Sequence, residues 1–139
     1  MTISEIQQEL INEFSLFDNW EQRYEYVIEL GKSLPIMPDK DKTEDRLIKG
    51  CQSQVWFKAY TKDGKMFLEA DSDAILPRGI VAMLIRIYSN QPISDILKSN
   101  EDFIKEIGLQ EFLSPTRANG LLAMIKQIKY YAIAYSIKK

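Results

Sequence analysis

Asp63-Gly64, set between the apolar runs 54–61 and 66–69, is the feature that most limits the folds open to this chain. An Asp-Gly pair readily takes the left-handed conformations of a two-residue hairpin turn, so the flanking runs become antiparallel neighbours. A further short strand is expected around Leu47 and Ile48, which makes three antiparallel strands with a Gly-Cys-Gln-Ser loop between the first two. Outside this stretch the apolar spacing is helical. Ser4 and Gln7 read as a capping box for a helix of about four turns through Ile6, Leu10, Phe14 and Phe17. Asn19 caps a second helix through Trp20, Tyr24, Val27 and Leu30, with Gly31 as its left-handed exit. Pro35, Pro38 and a dense mix of charges then mark an exposed connection.

Asp71-Ser72-Asp73 is expected to cap the segment AILPRGIVAMLIRIYS. That segment is too apolar on every side for a surface helix, so it is the candidate core helix, with Pro77 in its first turn. Short helices are expected over 93–98 and 101–107, the latter capped by Asn100, and Ser114-Pro115 opens a long closing helix packed on one face. The expected fold is therefore α+β, a small three-stranded antiparallel sheet flanked by helices, in a single domain over 1–139. With 45% apolar residues the chain can fill one core of that size. No repeat is evident, and no heptad pattern or exposed apolar stripe argues for a higher oligomer.

Composition then removes function classes. The 18 basic and 20 acidic residues leave no basic surplus for a nucleic-acid backbone. No apolar run approaches the ~20 residues that cross a bilayer, and MTISEIQQEL lacks the order of a signal peptide, so a cytoplasmic protein is expected. There is no histidine, which excludes Ser/His/Asp and Cys/His nucleophile pairs and the usual zinc ligand sets. No EF-hand spacing and no glycine-rich phosphate loop occurs, so neither a metal nor a cofactor is expected.

Attention falls on the one cysteine, Cys51, in IKGCQSQVW. A lone cysteine forms no internal disulfide, in keeping with a reducing compartment. A free thiol is commonly a small buried hydrophobe. Gly50, Gln52, Ser53 and Gln54 instead describe a polar turn that can present a side chain, so both readings stay open on local chemistry. Lys49 adjoins the thiol, and folding could bring Arg46, Arg78 or Arg117 near it, each of which also reads as an ordinary surface charge. Arg117 sits in the first turn of the closing helix, where a cation opposes the helix dipole. An ionised thiol without an acid or base partner suits thiol exchange better than hydrolysis.

IKGCQSQVW, DSDAILPRG, LSPTRANGL and the opening NWEQRYEYVIELGKSLP occur in an order and spacing that resemble the SufE family of sulfur-acceptor proteins. The resemblance covers nearly the whole chain. It implies an α+β fold similar to iron–sulfur scaffold proteins of the NifU type. It also implies a sulfur-carrying function, in which the chain takes sulfane sulfur from a SufS-type cysteine desulfurase, stimulates that enzyme, and passes the sulfur to a scaffold complex of the SufBCD type. Pyridoxal phosphate would belong to the desulfurase alone. By the same resemblance Cys51 matches the persulfide-holding cysteine, Gly50, Gln52 and Ser53 the loop that presents it, and Asp73 and Arg117 residues beside that loop that affect exposure or docking. Pro77 departs from the family's usual residue there. Two other functions remain: an allosteric adaptor of the desulfurase with Cys51 merely packed, and a single-cysteine redox sensor or peroxidase.

Overall fold

The computed structural model describes residues 1–51 and 53–137. In chain order α1 (Ile3–Ser15) and α2 (Trp20–Lys32) lead through two single turns of 3-10 helix into the hairpin of β1 (Val55–Lys62) and β2 (Lys65–Ser72). Then follow α3 (Ile75–Tyr88), β3 (Gln91–Pro92), α4 (Ile93–Lys98), α5 (Asp102–Ile107), α6 (Leu109–Phe112) and α7 (Pro115–Ile137). The three strands form one antiparallel sheet in the order β1-β2-β3.

The hairpin closes on Asp63 and Gly64, both at positive φ (55° and 79°), with Lys62 opposite Lys65. This register faces Phe57 to Ala70 and Ala59 to Leu68 on the inner side, with Val55, Phe57, Met66, Leu68 and Ala70 all in the core. The other side carries Tyr60 stacked on Phe67, centroids 5.3 Å apart, and Trp56, whose ring lies under the Lys42 ammonium. Helix α3 covers the inner side and is the core helix that its sequence foretells, with Val81, Met83, Leu84, Ile87 and Tyr88 fully buried. Helix α7 runs along the free edge of β1, where the Tyr131 and Tyr135 hydroxyls donate to the backbone carbonyls of Phe57 (3.3 Å) and Ala59 (2.8 Å). Edge carbonyls that would otherwise invite another strand are thereby occupied.

Several local expectations change. The first capping box is Thr2 with Glu5, ahead of the expected Ser4 with Gln7, and it places Ile3, Ile6, Leu10 and Phe14 inward. The third strand is Gln91–Pro92, paired with β2, whereas Leu47 makes only one bridge, to Trp56. Asn19 caps α2 as expected, but Gly31 lies inside the helix and not at a left-handed exit. Its role is close packing: a Cβ on Gly31 would lie 2.8 Å from the Gly79 nitrogen, and one on Gly79 only 2.1 Å from the Val27 carbonyl oxygen. The helices α2 and α3 thus touch backbone to backbone. Gly79→Ala should lower stability by roughly 2–3 kcal/mol, because the methyl meets backbone that cannot rotate away. Urea unfolding would measure this, and a loss under about 0.5 kcal/mol would contradict the close approach.

Helix α7 packs on one face as expected, through Leu121, Met124, Ile125, Ile128 and Ala132, but it departs from the expectation of no exposed apolar stripe. Its outer side exposes Leu122, Tyr130, Ile133 and Ile137.

Candidate functional site

The loop that carries Cys51 is closed at its base by hydrogen bonds on both sides. On the entering side the Ile48 amide donates to the Val55 carbonyl at 2.8 Å, next to the Leu47–Trp56 bridge. On the leaving side Gln54 is held by three hydrogen bonds: its amide donates to Asp73 Oδ1 (3.0 Å), and its carbonyl accepts from the Ser72 hydroxyl (2.8 Å) and the Asp73 amide (3.2 Å). Between these anchors the chain turns at Gly50, whose φ of +95° is one that residues with a Cβ rarely adopt. Gln52 lies outside the described residues.

These contacts correct one expectation. Ala74 occupies the N-cap of α3 without a side-chain hydrogen bond to the helix. Asp73 anchors the cysteine loop instead, while the Ser72 hydroxyl accepts from the Ala74 amide at 3.3 Å. Asp71 is buried, at 1% exposure, and receives hydrogen bonds from the Met37 amide (3.1 Å), the Ser72 amide (2.8 Å) and the Arg78 guanidinium.

Cys51 is half-buried and free. Its thiol points to the first turns of α7, with Sγ 3.7 Å from the Gly120 carbonyl oxygen, a weak S–H donation. Beside it lies a crevice with a free interior of about 20 Å³, room for one water-sized guest. Val55, Ile80 and Met124 make its apolar wall. Ser53 and Arg117 line the same crevice, so the structure brings together Cys51, Ser53 and Arg117, and Gly50 packs close by, where an added Cβ would lie 3.4 Å from the Ala123 methyl. Pro77, in the first turn of α3, lines it as well.

Burial pushes the Cys51 thiol above its ordinary pKa. Desolvation disfavours the anion, so the free protein keeps Cys51 as the unreactive thiol at neutral pH. Of the cations that sequence brings into question, Arg46 is paired with Asp41 and Arg78 with Asp71. Arg117 is exposed, and among the described residues it has no carboxylate within ion-pair distance. Its backbone amide donates to the Ser114 hydroxyl at 3.3 Å, in keeping with a helix that starts at Ser114-Pro115, and the residue lines the crevice. The site is thus a thiol kept neutral by apolar walls, next to an uncommitted cation.

Gly120 is the residue that sequence reasoning missed. A glycine inside a helical pattern was the available signal, since it lowers helix stability and calls for a packing reason.

Among the described residues no helix is long and apolar enough to cross a membrane. Nor do three or more Cys, Asp or Glu side chains gather there as a metal site would require. Residues 8–132 match the family model SufE, described as an Fe–S metabolism associated domain. The chain is 43% identical over 126 residues to an uncharacterised SufE-like protein of Rhizobium meliloti (strain 1021), a match spanning 87% of this chain and 90% of that one. It is 36% identical over 132 residues to SufE-like protein 1, chloroplastic/mitochondrial, of Arabidopsis thaliana, covering 94% of this chain and 36% of that protein. The solution structure of a hypothetical protein from Thermus thermophilus shares the fold, with a TM-score of 0.77 at 20% identity over 93% of this chain and 94% of that one. A family model spanning nearly the whole chain, together with relatives of this identity, shows that the protein belongs to the SufE family and has its role in iron–sulfur metabolism.

Proposed function

We propose that the protein is a sulfur carrier: Cys51 accepts sulfane sulfur from a SufS-type cysteine desulfurase, raises that enzyme's turnover, and hands the sulfur to a scaffold complex of the SufBCD type. The observation that supports this best is the half-buried thiol on an anchored loop, above a crevice of one-atom size and beside Arg117. In the transfer, Cys51 thiolate attacks the outer sulfur of the desulfurase cysteine persulfide; a new S–S bond forms, the old one breaks, and the desulfurase thiolate leaves. The product is Cys51–S–SH, and its sulfane proton passes to solvent where the ionised form is needed. No electrons are gained or lost overall, so no histidine and no resident cofactor are required. Pyridoxal phosphate acts in the partner, and the carrier works as a cytoplasmic monomer or weak homodimer.

The thiol is neutral and half-buried in the free protein, so transfer needs the loop to leave its crevice when the two proteins meet. Exposure returns the thiol to water and lowers its pKa, and Arg117 then stands where it can face the anion. Asp73 keeps the loop seated until that moment through its bond to the Gln54 amide. Iodoacetamide should therefore alkylate Cys51 in the free protein more slowly than in the urea-unfolded chain, with a pH midpoint shifted upward, because folding favours the protonated form. Asp73→Ala should bring both rate and midpoint part of the way back. Equal profiles for the folded and unfolded chains would contradict the seated loop.

The carrier reading is tested by adding the protein to a cognate desulfurase with L-cysteine and following alanine release. A rise in turnover is expected, and no rise with a partner that binds the chain would overturn the reading.

A further inference from the structure

We propose that Gly120 is a positioning residue: it reserves the space that the second sulfur atom fills once Cys51 is loaded, an inference that rests on the carrier function proposed above. Gly120 is buried in the interior of α7, where glycine costs about 1 kcal/mol of helix stability relative to alanine. Its backbone is not in the left-handed region, so conformation does not demand glycine. The unloaded thiol does not demand it either. A Cβ built at position 120 would lie 3.4 Å from Cys51 Sγ, 3.7 Å from Cys51 Cα and 3.8 Å from the Gly50 oxygen, all ordinary contact distances.

What a methyl there would remove is the free space next to the sulfur. That space, about 20 Å³, is bounded by Val55, Ile80 and Met124 and takes a single water-sized guest. A persulfide adds one sulfur about 2 Å beyond Sγ. In the seated loop that atom enters the volume over Gly120, where the apolar walls separate it from thiols in solution and the Gly120 carbonyl stands by to accept its S–H. An alanine at 120 leaves the thiol form seated but collides with the outer sulfur, so the loaded loop is driven out.

The test loads Cys51 chemically, without a desulfurase. An aromatic disulfide converts Cys51 to Cys51–S–S–Ar, and hydrosulfide then displaces the aryl thiolate, leaving Cys51–S–SH. After desalting, iodoacetamide caps the outer sulfur with loss of iodide, and intact mass follows the rate. Loaded Gly120→Ala should be alkylated at least about tenfold faster than the loaded wild type, since the rate scales with the exposed fraction, while the unloaded forms differ by less than about twofold. Adding Met124→Ala to that variant enlarges the crevice and should slow the loaded form again. Equal rates for the two loaded proteins would overturn the proposal. So would an equal acceleration of the unloaded thiol, or failure of Gly120→Ala to fold, because alanine is held to fit the thiol form. Chemical loading keeps this outcome separate from the carrier function, which stands or falls on transfer from the desulfurase.

Discussion

Cys51→Ser should abolish sulfur acceptance, a loss of at least about 100-fold, since a serine hydroxyl is almost never ionised at neutral pH and cannot take over as the attacking nucleophile. The substitution keeps nearly the same shape in the crevice, so the fold and desulfurase binding should persist. Two measurements on one pair of proteins separate the readings: alanine release by the desulfurase and affinity for it. Loss of stimulation with binding retained supports a carrier. Stimulation by Cys51→Ser comparable with that by the wild type would favour an allosteric adaptor in which the cysteine is only packed. A redox sensor would instead show rapid reaction of the free thiol with peroxide, which a protonated and half-buried Cys51 disfavours.

The largest structural loss should come from Arg78→Met. Arg78 reaches from α3 to the Leu34 carbonyl (3.0 Å), the Gly31 carbonyl (3.4 Å) and the carboxylate of Asp71. Asp71 is buried at the end of β2 and also holds the Met37 amide, so one ion pair joins the end of α2, the connection after it, the sheet and the core helix. Methionine fills much of the volume but leaves Asp71 without its guanidinium. Removing one partner of a buried pair costs about 3–5 kcal/mol. Lys42, 3.5 Å from Asp71, compensates in part, which places the expected loss near the lower figure. Urea unfolding would read it directly, and a change below about 1 kcal/mol would show that the pair carries little of the fold.

Where a residue's structure depends on its neighbours in sequence, the sequence was mostly enough, although the first capping box falls at Thr2 and not at Ser4. Asp63-Gly64 makes its turn because only two residues are involved, and Asn19 and Ser114-Pro115 start helices by bonding groups within one turn. The core helix was legible because it is apolar all round. Where the cause lies across the fold, local chemistry misled. Gly31 has the composition of a helix exit, yet it is consumed by the backbone approach of Gly79. Leu47 and Ile48 look like a strand, but α7 takes over the edge of β1 after a single bridge, and the third strand is a two-residue piece too short to announce itself. Asp71-Ser72-Asp73 has capping residues, but β2 runs on through Ser72 and turns them to the cysteine loop and to Arg78.

The site divides in the same way. The motif around Cys51 singled out that cysteine and its loop by resemblance, as the acceptor proposed above, and the partners of that loop became visible only in space. Asp73 lies 19 positions from the Gln54 amide that it holds, and Gly120 lies 69 positions from the thiol that it faces. No local pattern connects them. The crevice is built by residues from β1, α3 and α7 at once, Gly120 among them.

Intact-mass measurement in the absence of reductant, after mixing the protein with a cognate cysteine desulfurase and L-cysteine, tests the carrier function most directly. A gain of about 32 Da, one sulfur atom, that maps to Cys51 and requires both the desulfurase and its substrate is the predicted result. An unmodified Cys51 under conditions where the desulfurase binds the protein and turns over faster would contradict it.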